Sequence, residues 1–291
     1  MVNGFVSSAA VAMAADKDVP DIETVIHRSV ISLSQIARDF LSKGIELTRV
    51  CRLAVLLKES GVDSDNILFR NLAKKCIVTQ RDDGGWMDVL ETVWCSTLVN
   101  LFIEFSEQVE KALEWLRGQR CKDGGWGKSK RDSARIPVTG LLLYMLPQLS
   151  SEEDLKWLEN EWNQEHKLKP CLTYKAAFSL MAFSKNNYKP GNHDLISKTV
   201  CWLIDQQNDD GGWGPWKGHP VGSDSWCTGI SIVGLLQYPD KIPKIALQKA
   251  IKWLRKNQLQ NGLWPYHYIE EGSSWALYAL VMGCGFLRRE N

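Results

Sequence analysis

Two kinds of segment alternate along this chain, and the spacing of their apolar positions separates them. In residues 109–120, Ala112, Leu113 and Leu116 recur at three- and four-residue intervals while charged side chains fill the other face. That pattern predicts a helix buried along one stripe. Residues 89–105, 138–146, 226–236 and 274–286 are apolar nearly all round and rich in Gly, Ala, Ser and Leu, as a helix packed on most sides should be. The same alternation runs through 22–41 and 47–57, through 67–79 before the first apolar segment, and through 152–165 and 173–183. Six amphipathic-then-apolar pairs result, at 22–57, 67–105, 109–146, 152–183, 192–236 and 244–286. No period-two alternation interrupts them, so the expected class is all-α. Six pairs close a ring, an (α/α)6 barrel or toroid with amphipathic helices outside and apolar helices inside. Residues 21–291 form that single domain, after a frayed N-terminus at 1–20.

The joints repeat as well. Asp-Gly-Gly-Trp stands at 83–86, 123–126 and 210–213, with a looser Asn-Gly-Leu-Trp at 261–264. Eleven residues before the last three loop tryptophans comes a Trp-Leu pair, at 115–116, 202–203 and 253–254, and Gln80, Gln119, Gln206 and Gln258 lie in the joints. A glycine pair allows the positive-φ turn that ends a helix. The unit at 152–183 keeps Trp157-Leu158 but has no Gly-Gly-Trp.

Composition narrows the partners. Charge is balanced, 35 basic against 34 acidic residues, with no basic block, which excludes nucleic acid as an expected partner. The longest apolar run, around 136–146, is too short to cross a bilayer, and the apolar stretch at 6–15 lacks the basic flank of a signal peptide. Eight scattered cysteines, without a Cys-x-x-Cys pair, read as reduced cytoplasmic thiols filling core positions.

The Gln–Gly–x–Trp joint after a helix carrying Trp-Leu resembles the repeat of squalene–hopene and oxidosqualene cyclases, and the related repeats of protein prenyltransferase β subunits. The resemblance runs from about Gln80 to Phe286. It implies a structural role for Trp86, Trp126, Trp213 and Trp264, and chemistry in a central cavity lined by the inner helices. The cyclases use Asp-x-Asp-Asp-Thr-Ala at the start of an inner helix; here the matching stretch is Asp224-Ser225-Trp226-Cys227-Thr228-Gly229. The first Asp and the Thr align, while Trp226 replaces the usual proton donor. Asp224 is therefore the candidate acid, and equally the natural N-cap of that helix. Glu270, Glu271, Glu91 and Asp132 occupy comparable places, where acids also complement the helix dipole. Trp94, Tyr144, Tyr174, Phe178, Trp226, Trp275 and Tyr278 are the candidate aromatic lining, with Glu271 beside them; cation–π attraction is what such a wall offers a carbocation.

The β-subunit resemblance would imply zinc, but Trp226 stands where a Cys ligand belongs and Gly272 where a His belongs. Trp226-Cys227-Thr228-Gly229 also resembles a lanthionine-cyclase segment, for which Cys227, His267 and Cys284 would have to assemble. No metal or cofactor is expected, except that a diphosphate substrate would bring Mg2+. Trp216, Lys217, His219 and Pro220 in one joint, and Lys128, Lys130, Arg131 and Arg135 in another, could meet such a diphosphate. The expected activity is acid-initiated cyclisation of a hydrophobic isoprenoid. A toroid that only binds lipid or protein is the alternative, and zinc-dependent thiol chemistry the third reading. Peripheral membrane contact and a partner subunit stay open.

Overall fold

The computed structural model describes residues 19–44, 46–63 and 67–289; most of the expected N-terminal tail and the 6–15 stretch lie outside them. Among the described residues there are twelve α-helices and no strand. They are α1 (Ile22–Lys43), α2 (Leu47–Glu59), α3 (Ile67–Thr79), α4 (Val89–Val99), α5 (Ser106–Gly118) and α6 (Ile136–Met145). The second half holds α7 (Glu152–Glu165), α8 (Thr173–Lys185), α9 (Leu195–Asp205), α10 (Ser225–Leu235), α11 (Lys244–Lys256) and α12 (Ile269–Arg289). The apolar segment expected to run from 89 to 105 stops at Val99; a 3₁₀ turn at Ile103–Phe105 then turns the chain into α5.

The even-numbered helices form the inner ring. Each packs on its even-numbered neighbours, and α12 packs on both α10 and α2, which closes the circle. The odd-numbered helices lie outside. Their burial follows the stripe read from sequence: in α5 only Val109, Ala112, Leu113 and Leu116 are buried, whereas α10 is buried throughout except at Trp226. No described helix is long and apolar enough to cross a membrane.

The loop tryptophans supply the helix-end bonding that the outer helices leave unmade. The indole N–H groups of Trp86, Trp126, Trp213 and Trp264 donate to the carbonyls of Cys76, Leu116, Leu203 and Leu254, at 2.7–3.1 Å. Each tryptophan's backbone N–H donates to a hydroxyl in the first turn of the next inner helix, from Thr92, Thr139, Thr228 or Ser273. One residue thus staples an outer helix end to an inner helix start.

The glutamine register differs by one from the sequence expectation in two joints. Gln80, Gln207 and Gln258, six residues before their tryptophans, donate to a loop glycine carbonyl and to a first-turn carbonyl of the next outer helix. Gln206 and Gln119 instead accept from Lys217 N and Lys130 N. In the second joint Arg120 takes the bridging place, paired with Asp154 on α7 at 2.5 Å.

Ring closure shows in the last joint. Gly262 has φ +79, and a Cβ there would stand 2.6 Å from Arg28 O of α1. Only glycine admits both the turn and the close approach. Ser29 Oγ donates to Gly262 O at 2.7 Å, and Arg255 of α11 grips Pro20 O at 2.7 and 2.9 Å.

Candidate functional site

Because the helices alternate in direction, all inner helices begin at one end of the ring. That end, the mouth, gathers six positive helix-dipole ends and the acids that suit them. Asp224 is the N-cap of α10. Its backbone is extended, with φ −127 and ψ 163, and its Oδ1 accepts from Cys227 N at 2.7 Å. The loop above fixes it, since Asp224 N donates to Trp213 O at 3.0 Å. Burial pushes its carboxyl above the usual value, and the cap bonds from Cys227 pull back only partly. The two sequence readings of Asp224, cap and acid, are therefore compatible in one side chain. Cys227 is buried, and burial plus the neighbouring carboxylate hold its thiol far above its ordinary value; it is not an activated nucleophile.

A cavity of about 610 Å³ opens beside Asp224. Tyr174, Trp226, Cys227, Tyr266 and His267 line it on the ring side, and His219 and Val221 of the long joint on the other. Trp226 meets Tyr174 edge-on at 5.1 Å between ring centroids and stacks on Tyr266 at 6.1 Å. His267 lies against Tyr266 at 4.1 Å. The interlocking of joints with helix starts is local: Thr173 N and Oγ1, at the start of α8, donate to Pro215 O and Gly214 O.

The rest of the expected lining lies deeper and faces itself. Trp275 of α12 meets Trp94 of α4 at 6.4 Å and Phe178 of α8 at 6.1 Å, across the ring. Below them the hydroxyls of Tyr144 and Tyr278 are 3.0 Å apart, joining the opposite helices α6 and α12. Trp94, Phe178, Trp275 and Tyr278 are buried, and neither these four nor the partly buried Tyr144 line the 610 Å³ cavity. The expected lining thus divides: Tyr174 and Trp226 stand at the mouth cavity, while Trp94, Phe178, Trp275, Tyr144 and Tyr278 lie against one another deeper in the ring.

The other acids are spoken for. Glu271 pairs with Arg52 at 2.9 Å and Glu270 with Arg49 at 2.6 Å. Burial raises the Glu271 carboxyl, but Arg52 and the nearby Trp226 and His267 favour its ionised form. The Trp226 indole N–H is buried without a well-aligned acceptor, as is Arg52 Nε. Glu91 accepts from Thr48 N, Thr48 Oγ1 and Met87 N. Asp132 is held below the usual carboxylate range by the Lys128 amide and by Arg135.

Arg49, Arg52 and Tyr266 were not singled out from sequence. Arg52 had a signal, a lone cation inside the apolar run 50–57. Tyr266 had none. Cys227, His267 and Cys284 do not assemble: Cys284 lies fifteen residues into α12, roughly 22 Å along the axis at 1.5 Å per residue. Among the described residues, the one His, Cys, Asp or Glu group close enough to share an ion is Cys51, Cys76 and Cys95.

The family described as the prenyltransferase alpha-alpha toroid domain matches residues 86–161 and 150–290. A squalene–hopene cyclase of Zymomonas mobilis is 25% identical over 221 residues, covering 60% of this chain and 32% of that protein. A lanosterol synthase of Candida albicans is 31% identical over 110 residues, 34% of this chain and 15% of that enzyme. The chain thus spans about a third or less of the length of these relatives. Among solved structures, the type II terpene cyclase MstE from Scytonema superposes with a TM-score of 0.71 at 16% identity, over 92% of this chain and all of that one. A protein from Actinoplanes superposes with a TM-score of 0.72 at 13% identity, over 91% of this chain. At such identities these two structures show the fold alone.

Proposed function

The chain belongs to the prenyltransferase alpha-alpha toroid domain family, and from that premise we propose that it is a class II terpene cyclase-like enzyme working at the mouth of the ring. Asp224, protonated, adds its proton to a terminal carbon–carbon double bond or an epoxide of an isoprenoid. The resulting carbocation is attacked by an internal double bond, and loss of a proton from carbon ends the sequence, so the net change is an isomerisation. Trp226, Tyr174 and Tyr266 offer ring faces to the cation, each worth about 0.5–2 kcal/mol. A space of about 610 Å³ lies within the range that holds small organic ligands. One observation carries the reading: a half-buried carboxyl, raised by burial and without an arginine or lysine partner among the described residues, stands at an aromatic-walled cavity.

A diphosphate-bearing substrate would meet Lys128, Lys130 and Arg131 on a mouth joint and would bring Mg2+ with it. The joints around the mouth also expose Met87, Leu168, Val221 and Tyr268, which supports delivery of a greasy substrate from a membrane surface. One feature favours the second reading, a toroid that binds without turnover: the Tyr144–Tyr278 bridge and the Trp94–Trp275 contact place much of the expected aromatic lining against itself and away from Asp224.

The experiment is incubation of the purified chain with farnesyl, geranylgeranyl and squalene-type substrates, with product analysis by gas chromatography and mass spectrometry. Cyclised hydrocarbon or alcohol from the native chain, and none from Asp224→Asn, is the expected result. Saturable binding without product would transfer the protein to the second reading.

A further inference from the structure

Three cysteines far apart in sequence meet on the wall of the ring away from the mouth cavity. Cys51 Sγ of α2 lies 3.2 Å from Cys76 Sγ of α3 and 3.5 Å from Cys95 Sγ of α4. All three sulfurs fall within 4.8 Å of one another and all three residues are buried. They fill the seam where an outer helix leans on two inner ones, a seam that recurs in every repeat.

The other repeats show what that seam ordinarily contains. Cys76 holds the place whose carbonyl receives the loop tryptophan, and Leu116, Leu203 and Leu254 hold it elsewhere. Cys95 follows by three the hydroxyl that receives the tryptophan amide; the matching residues are Leu142, Ser231 and Ala276. Packing alone is met by leucine and alanine in this architecture. Sulfur at all three corners is peculiar to the α2–α3–α4 seam.

We propose that Cys51, Cys76 and Cys95 form a three-sulfur site for a soft, low-coordinate metal ion, Cu(I). Three sulfurs each about 2.3 Å from one ion stand roughly 3.8–4.0 Å apart; the Cys51–Cys76 and Cys51–Cys95 spacings of 3.2 and 3.5 Å are shorter than that and the third is at most 4.8 Å, so an ion enters with the sulfurs parting by a few tenths of an ångström. The donor set is sulfur only, which selects a soft ion. No fourth His, Cys, Asp or Glu ligand joins the group among the described residues, and zinc sites are almost always four-coordinate. Binding exchanges protons for the ion: one thiol proton leaves to solvent for each thiolate formed, and a single release already balances the charge of Cu(I). No change of oxidation state is involved. Burial means that the ion enters as the seam forms, so its binding energy adds to folding.

The test uses the full chain with Cys201→Ser, which removes the exposed thiol, purified under reducing, oxygen-free conditions. Cu(I) is supplied from a chromophoric chelator while the chain refolds from urea, and retained copper is measured by elemental analysis. One equivalent per chain with a near-ultraviolet sulfur-to-copper absorption is the expected result. Cys76→Leu and Cys95→Ala, substitutions that other repeats already carry, should each weaken retention by more than about 100-fold, beyond what loss of a merely supporting group does, while circular dichroism stays unchanged. Less than a tenth of an equivalent on the native chain, or equal retention by the two variants, overturns the proposal. So does recovery of a Cys51–Cys76 disulfide from a chain that holds no copper.

Discussion

The two sides of the mouth both carry carboxylates at the start of an inner helix, Asp224 as the cap of α10 and Glu270 and Glu271 in the first turn of α12, and treat them in opposite ways. On the α2–α12 side, Glu270 and Glu271 at the start of α12 face Arg49 and Arg52 of α2, at 2.6 and 2.9 Å. Arg49 also lies over the Tyr268 ring, 4.7 Å from its centroid. On the α8–α10 side, Asp224 has its cap bonds and the nearby His267, but no arginine or lysine. Burial raises both Asp224 and Glu271, and of the two only Glu271 has an arginine opposing the rise. A ring of similar helix starts thus differentiates into a structural half and a half that can hold a proton. The difference comes from α2, whose apolar face carries two arginines, and not from the acids themselves.

The sharpest way to break the comparison is at Asp224. Asn is as good an N-cap as Asp, so Asp224→Asn should keep helix content and melting temperature while cutting turnover by about 10²–10⁴-fold, the usual worth of a general acid. Its pH dependence follows the sign of the shift. The folded carboxyl sits above the ordinary 3.8, so its charged form costs stability at neutral pH. As pH falls through the raised value, the folded chain takes up a proton ahead of the unfolded one and regains that stability. Activity should rise over the same interval because the protonated acid is the reactive form, and a kcat/KM profile without that limb would remove Asp224 from the role.

On the structural side, Arg52→Met should cost about 3 kcal/mol in urea denaturation, because it leaves Glu271 buried without its cation. An unchanged midpoint would mean that the two halves do not differ as described. A smaller effect, near 1 kcal/mol, is expected for Tyr278→Phe, which removes one hydroxyl of the buried Tyr144–Tyr278 pair. Its value lies in the control: a small loss of stability without loss of turnover would separate the interior aromatics from the chemistry at the mouth.

The helix pairs were legible because burial in a repeat toroid is written locally. The stripe of α5, the all-round apolarity of α10 and the Gly-Gly-Trp joints each declare their surroundings within about a dozen residues. Even the outer segment of the degenerate unit, read as 152–165, coincides with α7. The glutamine register was misread by one in two joints because adjacent glutamines, Gln206 and Gln207, look alike in sequence and differ only in which neighbouring carbonyl each can reach. Of the candidate lining, Tyr174 and Trp226 do stand at the cavity with Asp224, whereas Trp94, Phe178 and Trp275 meet in the interior.

Sequence alone determined the class of fold, the number of helix pairs and the position of Asp224 at a helix start, which depend on periodicity and on residues close along the chain; the structural role of the loop tryptophans came from the family resemblance. Only the tertiary structure decided that Trp94, Phe178 and Trp275 meet one another across the ring, that Arg52 pairs with Glu271 while Asp224 goes without an arginine, and that three thiols converge in one seam. Each of those facts joins helices many residues apart, and the distance between them is set by how the ring closes, which no local pattern records.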